Sequence, residues 1–408
     1  MEKNLEKSKN LVDSLPFILT LRYNPYLKST QPKLTWRNFT EKTFSQKPEI
    51  FLENYIEAFF INKLKNKKTI SISLSGGIDS TLLAGLLNKA LPNKKVESIS
   101  VKFEDSFDET KYAKLISNKL NFNHNVIYID HFFENLPLAI SIVKQPFWDL
   151  HWFHLAKEAK SLSNVLISGD GGDELFAGYT FRYKKFLSQI SNNSTVDEKI
   201  NAYLKCHERD WVPDQLDIFN LKKNFSWKKI HQILKPYFDN SLSPLSQVLL
   251  ADYNGKLLFN MIPNYEKIHN FFNISYIAPF LSKDIVETAT KLSDSKKYNV
   301  NTNQGKIVLK NILKKLDLNT VVLNRKQGFS VDTKNLWKSS GKKLCKLYLT
   351  ESNVVKENLI NANWINKYID SSNLDYRYIN KFFGILALEI WYRIFITKEM
   401  KSNEKLIL

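Results

Sequence analysis

The fold is decided by residues 69–90, which read TISISLSGGIDSTLLAGLLNKA. Ile70, Ile72 and Leu74 alternate with small polar residues, and this period of two predicts a β-strand over 69–74. After a loop rich in glycine and serine, apolar residues recur at helical spacing as far as Ala90. A strand, a glycine-rich loop and a helix in this order predict the first unit of a parallel α/β sheet.

The loop between this strand and helix has the chemistry of an anion site. Gly76 and Gly77 let successive backbone N–H groups converge on phosphate oxygens, and Ser75 and Ser80 add hydroxyl donors. The helix N-terminus points at the same anion. Asp79 would repel a phosphate, so we expect it to act through Mg²⁺. The alternative is a tight strand–helix turn without a ligand. The loop lacks the Gly-Lys-Ser/Thr ending of a P-loop and the third glycine of a dinucleotide-binding motif.

A second loop of similar character lies about ninety residues further on. Residues 168–179 read SGDGGDELFAGY and follow the short apolar run 165–167. Because its carboxylates follow glycines and accompany the first loop, we predict that Asp173 has a metal-binding or catalytic role. The alternative is a solvated helix start, where carboxylates are also favoured.

The order of apolar runs predicts the architecture. Runs at 69–74, 96–103, 125–130 and 165–167 alternate with helical stretches, as in a doubly wound parallel sheet with helices on both faces. After residue 190 helical segments dominate, including 244–260, 284–291, 306–315 and 378–400. We therefore predict an α/β fold in three parts: an N-terminal extension at 1–60, a parallel-sheet domain with the two loops at 61–190 and a mainly helical region at 191–408. The ligand of the second part, ATP, is implied only by the resemblance described below. In such sheets ligands bind at the carboxyl ends of the strands, where both loops fall.

Composition indicates a globular chain. Of its 408 residues, 43% are hydrophobic and 25% charged, both ordinary values for a globular protein. The stretch 382–396 is interrupted by Glu389 and Arg393 and is shorter than a membrane span. Residues 1–10 contain no apolar signal region, and the two cysteines form neither a metal pattern nor a disulfide framework. These features predict a cytoplasmic protein that does not span a membrane.

The net charge of +18 has two interpretations. One is nucleic-acid binding, because phosphates attract Lys and Arg. The other is a set of solvated lysines, and we favour it because the basic residues are dispersed and no RNA-binding motif is present. A positive field would also help a small phosphate-bearing ligand to enter a cleft.

The two loops together resemble a known family. The first resembles the PP-loop of ATP pyrophosphatases, which cleave ATP between the α- and β-phosphates. The second resembles the signature of the asparagine synthetase family. Further similar segments follow in the family's order: Asp108-Glu109, Gln145-Pro146-Phe147-Trp148-Asp149, Ala278-Pro279-Phe280-Leu281, the Gly-Lys segment at Lys306, Arg325-Lys326-Gln327-Gly328-Phe329, and the final helix at 383–391. The resemblance covers roughly residues 60–397.

The resemblance implies a sheet of the PP-loop (adenine nucleotide α-hydrolase-like) type, with ATP and Mg²⁺ as cofactors. It implies a ligase that activates a carboxylate as an acyl-adenylate, releases pyrophosphate and forms an amide with ammonia or an amine. Asparagine from aspartate is the leading specific hypothesis. By the same resemblance, Leu74, Val101, Ser168 and Gly169 correspond to positions that contact the adenine nucleotide.

It also implies roles for charged residues. Asp170 stands where the family has an acidic residue near the reacting amine, and its alternative role is to brace the loop. Lys326 would neutralise charge that develops on the phosphates and the adenylate. Asp79 and Asp173 would be the metal-side carboxylates.

The chain departs from the family pattern in two places. Glutamine-dependent members begin with a catalytic cysteine, whereas this sequence has Glu2, and about sixty residues are too few for a glutaminase domain. We therefore expect ammonia to be free, to come from a separate glutaminase subunit, or to be replaced by another amine. The segment 266–282 differs from the family, with Ser282 in place of an aspartate, which leaves the identity of the carboxylate open. Two alternatives are a tRNA-modifying PP-loop enzyme and a non-catalytic nucleotide-binding relative.

Overall fold

The computed structural model describes residues 13–42, 44, 46–103, 108–207, 211–220, 225–320, 322 and 332–406. Its centre is a five-stranded sheet of order β3-β2-β1-β4-β5 in which every neighbouring pair is parallel. The strands are β1 (Thr69–Ser73), β2 (Lys95–Phe103), β3 (Asn123–Ile129), β4 (Val165–Ile167) and β5 (Ser275–Ile277). The predicted α/β class and parallel sheet are confirmed.

Four of these strands lie where the sequence predicts them, within two residues at each end. The fifth, β5, was not predicted. It has three residues and only part-buried apolar side chains, so it carries no clear period of two. It pairs with β4 over its whole length and extends the sheet at that edge.

Helices cover both faces of the sheet. Helix α2 (Pro48–Leu64) precedes β1. The crossovers between strands contain α3 (Ile78–Ala90), α4 (Thr110–Lys119), α5 (Leu136–Val143) and α6 (His151–Leu162). Right-handed crossovers place α3 and α4 on one face, because the chain moves outward from β1 to β3. The return to β4 carries α6 to the opposite face, where it contacts the first four strands.

The remaining described elements are mostly helical, as predicted. The α-helices and the hairpin among them are α7 (Gly172–Leu175), α8 (Thr180–Leu187), α9 (Val196–Cys206), α10 (Trp227–Phe238), α11 (Pro244–Asp252), α12 (Ile262–Phe271), α13 (Lys283–Lys291), α14 (Asp294–Lys297), the hairpin β6 (Tyr298–Asn299) and β7 (Gln304–Gly305), α15 (Ile307–Lys315), α16 (Thr333–Leu336), α17 (Lys342–Leu349), α18 (Asn353–Lys356), α19 (Ala362–Ile369) and α20 (Tyr376–Phe395). None of the described helices is long and apolar enough to cross a membrane.

The first described helix, α1 (Leu15–Leu21), lies in the interior of the protein. All seven of its residues are buried. The amide of Gln215 donates to the Thr20 hydroxyl at 3.1 Å, and the Lys381 ammonium on α20 donates to the carbonyl of Leu19. Residues of the segment predicted as an extension therefore contribute to the core. The division into three domains stays a prediction.

Candidate active site

The two glycine-rich loops lie side by side at one edge of the sheet. The first follows β1 and the second follows β4, and these strands are neighbours in the centre of the sheet. After β1 the chain continues to β2 on one side, whereas β4 and later β5 lie on the other side of β1. A crevice therefore opens between the two loops, as is usual where the strand order of an open α/β sheet reverses. A cleft of about 1420 Å³ extends from this crevice.

The first loop is shaped by its own hydrogen bonds. Gly76 has a φ of 74°, a left-handed conformation that glycine adopts without strain. The hydroxyls of Ser75 and Ser80 lie 3.2 Å apart, and the Ser75 hydroxyl accepts from the backbone N–H of Gly77 at 3.3 Å. The Ser80 hydroxyl donates to the Gly77 carbonyl at 3.3 Å. The loop is therefore held in a compact turn at the start of α3. Anion binding by the backbone of Gly76 and Gly77 stays a prediction.

Most residues expected to contact the nucleotide line the cleft. Ser75, Gly77, Asp79, Ser80, Val101, Ser168 and Gly169 are among its walls. Leu74 is fully buried, and its backbone joins β2 through Ile99 at 2.8 Å and the Ser100 hydroxyl at 2.7 Å. The proximity of these residues agrees with a shared site, while their nucleotide contacts stay predictions.

Lys306 joins the two predicted metal-side carboxylates. Its ammonium forms ion pairs with Asp79 and with Asp173, the latter at 2.5 Å, and its side chain is only 3% exposed. Its backbone is left-handed, with φ 58°, at the start of α15, and its N–H donates to the Phe176 carbonyl at 2.9 Å. A Cβ on Gly178 would lie 1.8 Å from the Asp173 carboxylate, so glycine is required beside this ion pair. Two carboxylates thus converge on one cation.

This arrangement fits a magnesium site of the kind that phosphates complete. Mg²⁺ is usually held by one or two carboxylates together with substrate phosphates and water. Asp79 and Asp173 supply two carboxylates on one side of the cleft, and both pair with the Lys306 ammonium. Among the described residues, no group of three or more His, Cys, Asp or Glu side chains is arranged to hold a metal by itself.

Asp170 is held by two hydroxyl donors. It accepts from Ser168 at 2.6 Å and from the phenol of Tyr276 on β5. Burial, followed by the charge of Asp170, raises the pKa of Tyr276 well above its ordinary value. The phenol therefore keeps its proton and remains a donor to Asp170. The carboxylate is presented to the cleft in a defined orientation.

Glu174 is a further acidic residue of the site. Burial and the neighbouring charge of Asp173 raise the pKa of Glu174 to about 7, although the Tyr179 hydroxyl donates to it at 2.6 Å. A carboxyl group with a pKa near neutrality can exchange a proton at physiological pH. The sequence shows Glu174 only as the neighbour of Asp173.

Beyond Asp170 the cleft is walled by aromatic rings. The Trp152 ring centroid lies 5.1 Å from that of Tyr265 and 6.2 Å from that of Tyr276. A charged group, consisting of Arg22, Asp149 and Lys256, lines the same part of the cleft. The cleft therefore has room for a substrate next to the nucleotide side.

Lys326, the other predicted catalytic residue, lies outside the described residues, and its role stays a prediction. Lys306 and Tyr276 were not identified from the sequence as site residues. The Gly-Lys segment draws attention to Lys306 in the sequence. Its partner Asp79 is 227 positions away, so no local pattern predicts their contact. Tyr276 lies in the segment 266–282, and the only feature of that segment noted in the sequence is that it differs from the family pattern.

Comparison with known proteins identifies the family of the chain. Residues 58–393 match the Asn_synthase family model, described as asparagine synthase. The chain is 24% identical to asparagine synthetase [glutamine-hydrolyzing] 1 of Bacillus subtilis over 371 residues, which are 81% of this chain and 57% of that protein. It is 32% identical to a putative asparagine synthetase [glutamine-hydrolyzing] 2 of Methanocaldococcus jannaschii over 156 residues, or 34% of this chain and 30% of that one. The chain thus spans little more than half the length of the Bacillus subtilis protein.

Among solved structures, NMN synthetase from Francisella tularensis matches 52% of this chain and 95% of its own, with 17% identity. The TM-score of 0.25 is too low to bear on the fold, which rests on the strand order given above.

Proposed function

Because the chain belongs to the asparagine synthase family, we propose that it is an ATP-dependent ligase that forms an amide bond. It activates a carboxylate as an acyl-adenylate, releases pyrophosphate and transfers the acyl group to ammonia or an amine. The observation that carries this proposal is the meeting of the loops after β1 and β4 in one cleft with Asp170. The turn at 75–80 is suited to the phosphates of ATP, and the oriented carboxylate of Asp170 is suited to the attacking amine. Their position in one cleft supports two successive steps on one substrate.

In the first step the substrate carboxylate attacks the α-phosphate of ATP, and the bond to the β-phosphate breaks. Backbone N–H groups of the 75–80 loop and the start of α3 bind the departing pyrophosphate. Lys306 keeps Asp79 and Asp173 oriented toward one point. Mg²⁺, when bound by Asp79 and Asp173, would neutralise phosphate charge. Lys326 is proposed to stabilise the charge that develops on the phosphates.

In the second step the amine attacks the acyl carbon, and AMP leaves. Asp170 accepts a proton from the attacking nitrogen, while Ser168 and Tyr276 hold its carboxylate in position. Aspartate is the leading candidate for the carboxylate, and ammonia, free or supplied by a separate glutaminase, is the leading candidate for the donor.

The test is a pyrophosphate–ATP exchange assay over a panel of amino acids and other carboxylic acids, with and without ammonium. We expect exchange that depends on the carboxylate but not on the amine, and amide formation only when an amine is present. Formation of ADP and phosphate would contradict the proposal. Cleavage stimulated by tRNA alone would favour a tRNA-modifying enzyme, and ATP binding without pyrophosphate release would favour a non-catalytic relative.

A further inference from the structure

We propose that Lys306 is a resident cation that keeps free metal ions away from Asp79 and Asp173 and leaves these carboxylates only when a metal arrives together with a nucleotide. The order of binding is then built into the site, because neither carboxylate is open to a metal ion alone. The inference rests on the proposed function, since Mg²⁺ and ATP are the ligands proposed for this part of the cleft. It gives a regulatory role to a residue that the sequence marks only by its Gly-Lys segment.

The position of the ammonium is the first argument. Lys306 forms ion pairs with Asp79 and with Asp173, the latter at 2.5 Å. A magnesium ion held by carboxylates also needs direct contact with their oxygens, at about 2.0–2.1 Å. An ammonium that contacts both carboxylates therefore competes with a metal ion for the same oxygen atoms.

Close packing around the ion pairs is the second argument. The side chains are 3% exposed for Lys306, 9% for Asp79 and 15% for Asp173. A Cβ on Gly172 would lie 2.6 Å from the carboxyl carbon of Asp79, and a Cβ on Gly178 would overlap both Asp173 and the Lys306 side chain. The loop after β4 is thus pressed against all three charged side chains. A metal ion reaches the two carboxylates only if the lysine side chain moves.

Charge is the third argument, and it separates a free metal ion from a metal bound to a nucleotide. A free metal ion that displaced the ammonium would leave the buried charge of Lys306 without its two carboxylate partners, and an uncompensated buried charge is costly. A metal that arrives with a nucleotide brings phosphates, and charge-assisted hydrogen bonds to phosphate oxygens can replace those to the carboxylates. Only the second exchange leaves every charge compensated.

The exchange requires movement of one side chain and not of the backbone. The N–H of Lys306 donates to the Phe176 carbonyl at 2.9 Å, and its own carbonyl accepts from the N–H of Lys310 at 2.8 Å in the first turn of α15. The backbone is therefore held on both sides. A lysine carries its charge on a flexible four-carbon stem. Because Lys306 and both aspartates line the cleft, the ammonium can turn from the carboxylates toward a ligand there.

The experiment measures Mn²⁺ binding by electron paramagnetic resonance, with and without α,β-methylene-ATP, an analogue that cannot release pyrophosphate. For the wild-type protein we expect weak binding of free Mn²⁺ and tight binding of Mn²⁺ with the analogue. Lys306→Met should bind free Mn²⁺ about 10- to 100-fold more tightly than the wild type, since a competing charged hydrogen bond is removed. With the analogue present the variant should show no such gain, because the phosphates lose the ammonium as a partner.

Lys310→Met is the matched control, because Lys310 lies on α15 and lines the same cleft. An equal gain in free Mn²⁺ affinity in both variants would overturn the inference, since the effect would then be one of overall charge. Tight binding of free Mn²⁺ to the wild type, or no gain in Lys306→Met, would also overturn it. If thermal melting shows that Lys306→Met does not fold, Lys306→Gln takes its place, since its amide can still donate to a carboxylate.

The two halves of the experiment separate this inference from the proposed function. The comparison with free Mn²⁺ alone tests whether Lys306 competes with a metal ion, and it requires neither a nucleotide nor turnover. If the analogue increased Mn²⁺ binding in none of the proteins, the proposed use of ATP at this site would be contradicted, and with it the nucleotide-dependent release of the lysine.

Discussion

Single residues decide the chemistry of the cleft, and Lys306 is the first example. It is the buried cation between Asp79 and Asp173. Removing one member of a buried ion pair leaves charge without compensation, which costs more than the pair contributes. Here the loss of one lysine would leave two carboxylates facing each other.

We therefore expect Lys306→Met to lower the free energy of unfolding by about 3–5 kcal/mol at pH 7. Urea denaturation measures it, with Lys314→Met, an exposed lysine on the same helix, as the control. Adding Asp173→Asn to Lys306→Met should recover part of the loss, because it removes one of the repelling charges. A loss no larger than that of the control would show that the ion pairs do not stabilise the fold.

Asp170 and Tyr276 belong to the second half-reaction. If Asp170 accepts a proton from the amine, Asp170→Asn should slow amide formation by about 100-fold or more while carboxylate-dependent pyrophosphate exchange continues. Tyr276→Phe should cause a smaller loss and shift the pH dependence of amide formation, because one donor to Asp170 is lost. An equal loss of exchange in Asp170→Asn would instead assign this residue to adenylation or to folding.

At the scale of elements, the hairpin β6–β7 and the loop after α7 bring Lys306 to the aspartates. Gly305, the last residue of β7, packs against the backbone of Ala177. The backbone N–H of the next residue, Lys306, donates to the carbonyl oxygen of Phe176. The ion pairs of Lys306 therefore depend on close contact between two backbone segments far apart in sequence.

We expect Gly305→Ala to disturb this contact, because its Cβ would lie 1.8 Å from the Ala177 carbonyl oxygen. The backbone must shift, and overpacking of this kind costs about 1–3 kcal/mol or more in a denaturation experiment. Gly85→Ala is the control: its Cβ would meet the end of the flexible Leu318 side chain at 2.6 Å, within a helix that favours alanine. If both variants lost the same stability, the close approach at Gly305 would not be the cause.

The stability of the whole molecule should depend on pH through Lys297. This lysine is fully buried, its ammonium has no hydrogen-bond partner among the described residues, and it lies 5.4 Å from the Phe39 ring centroid. Burial lowers the pKa of Lys297 from 10.5 to about 8, against the opposing charges of Asp294 and Glu41. The folded state therefore disfavours the charged form.

The sign follows from proton binding. Between pH 8 and 10.5 the unfolded chain holds a proton on Lys297 that the folded protein has released, so the stability of the wild type should rise with pH there. Lys297→Met should remove this rise and stabilise the protein at pH 7 by up to about 3 kcal/mol. Denaturation curves from pH 7 to 10.5 measure it, with exposed Lys296→Met as the control. A variant that kept the rise would exclude Lys297 as its source.

Local patterns in the sequence predict four of the five strands of the sheet and both glycine-rich loops. The period of two at 69–74 and the helical spacing after Ser80 report which side chains of one short segment are buried, so they predict β1 and α3 without reference to the rest of the chain. Glycine, serine and aspartate in the two loops likewise reveal local chemistry. The periodicity and the loop composition can both be read from the sequence, because each depends only on residues that are close together along the chain.

Contacts between groups that are far apart in the sequence are visible only in the folded protein. Asp170 and Tyr276 are 106 positions apart, and Arg22 and Asp149 are 127 positions apart. No local pattern marks such pairs, because their members come together only in the folded chain, as when β5 pairs with β4 and places Tyr276 beside Asp170. Burial then excludes water, raises or lowers pKa values and makes each pairing strong. The loops are therefore a property of the sequence, whereas the lysine between the aspartates and the charged group at Arg22 are properties of the folded chain.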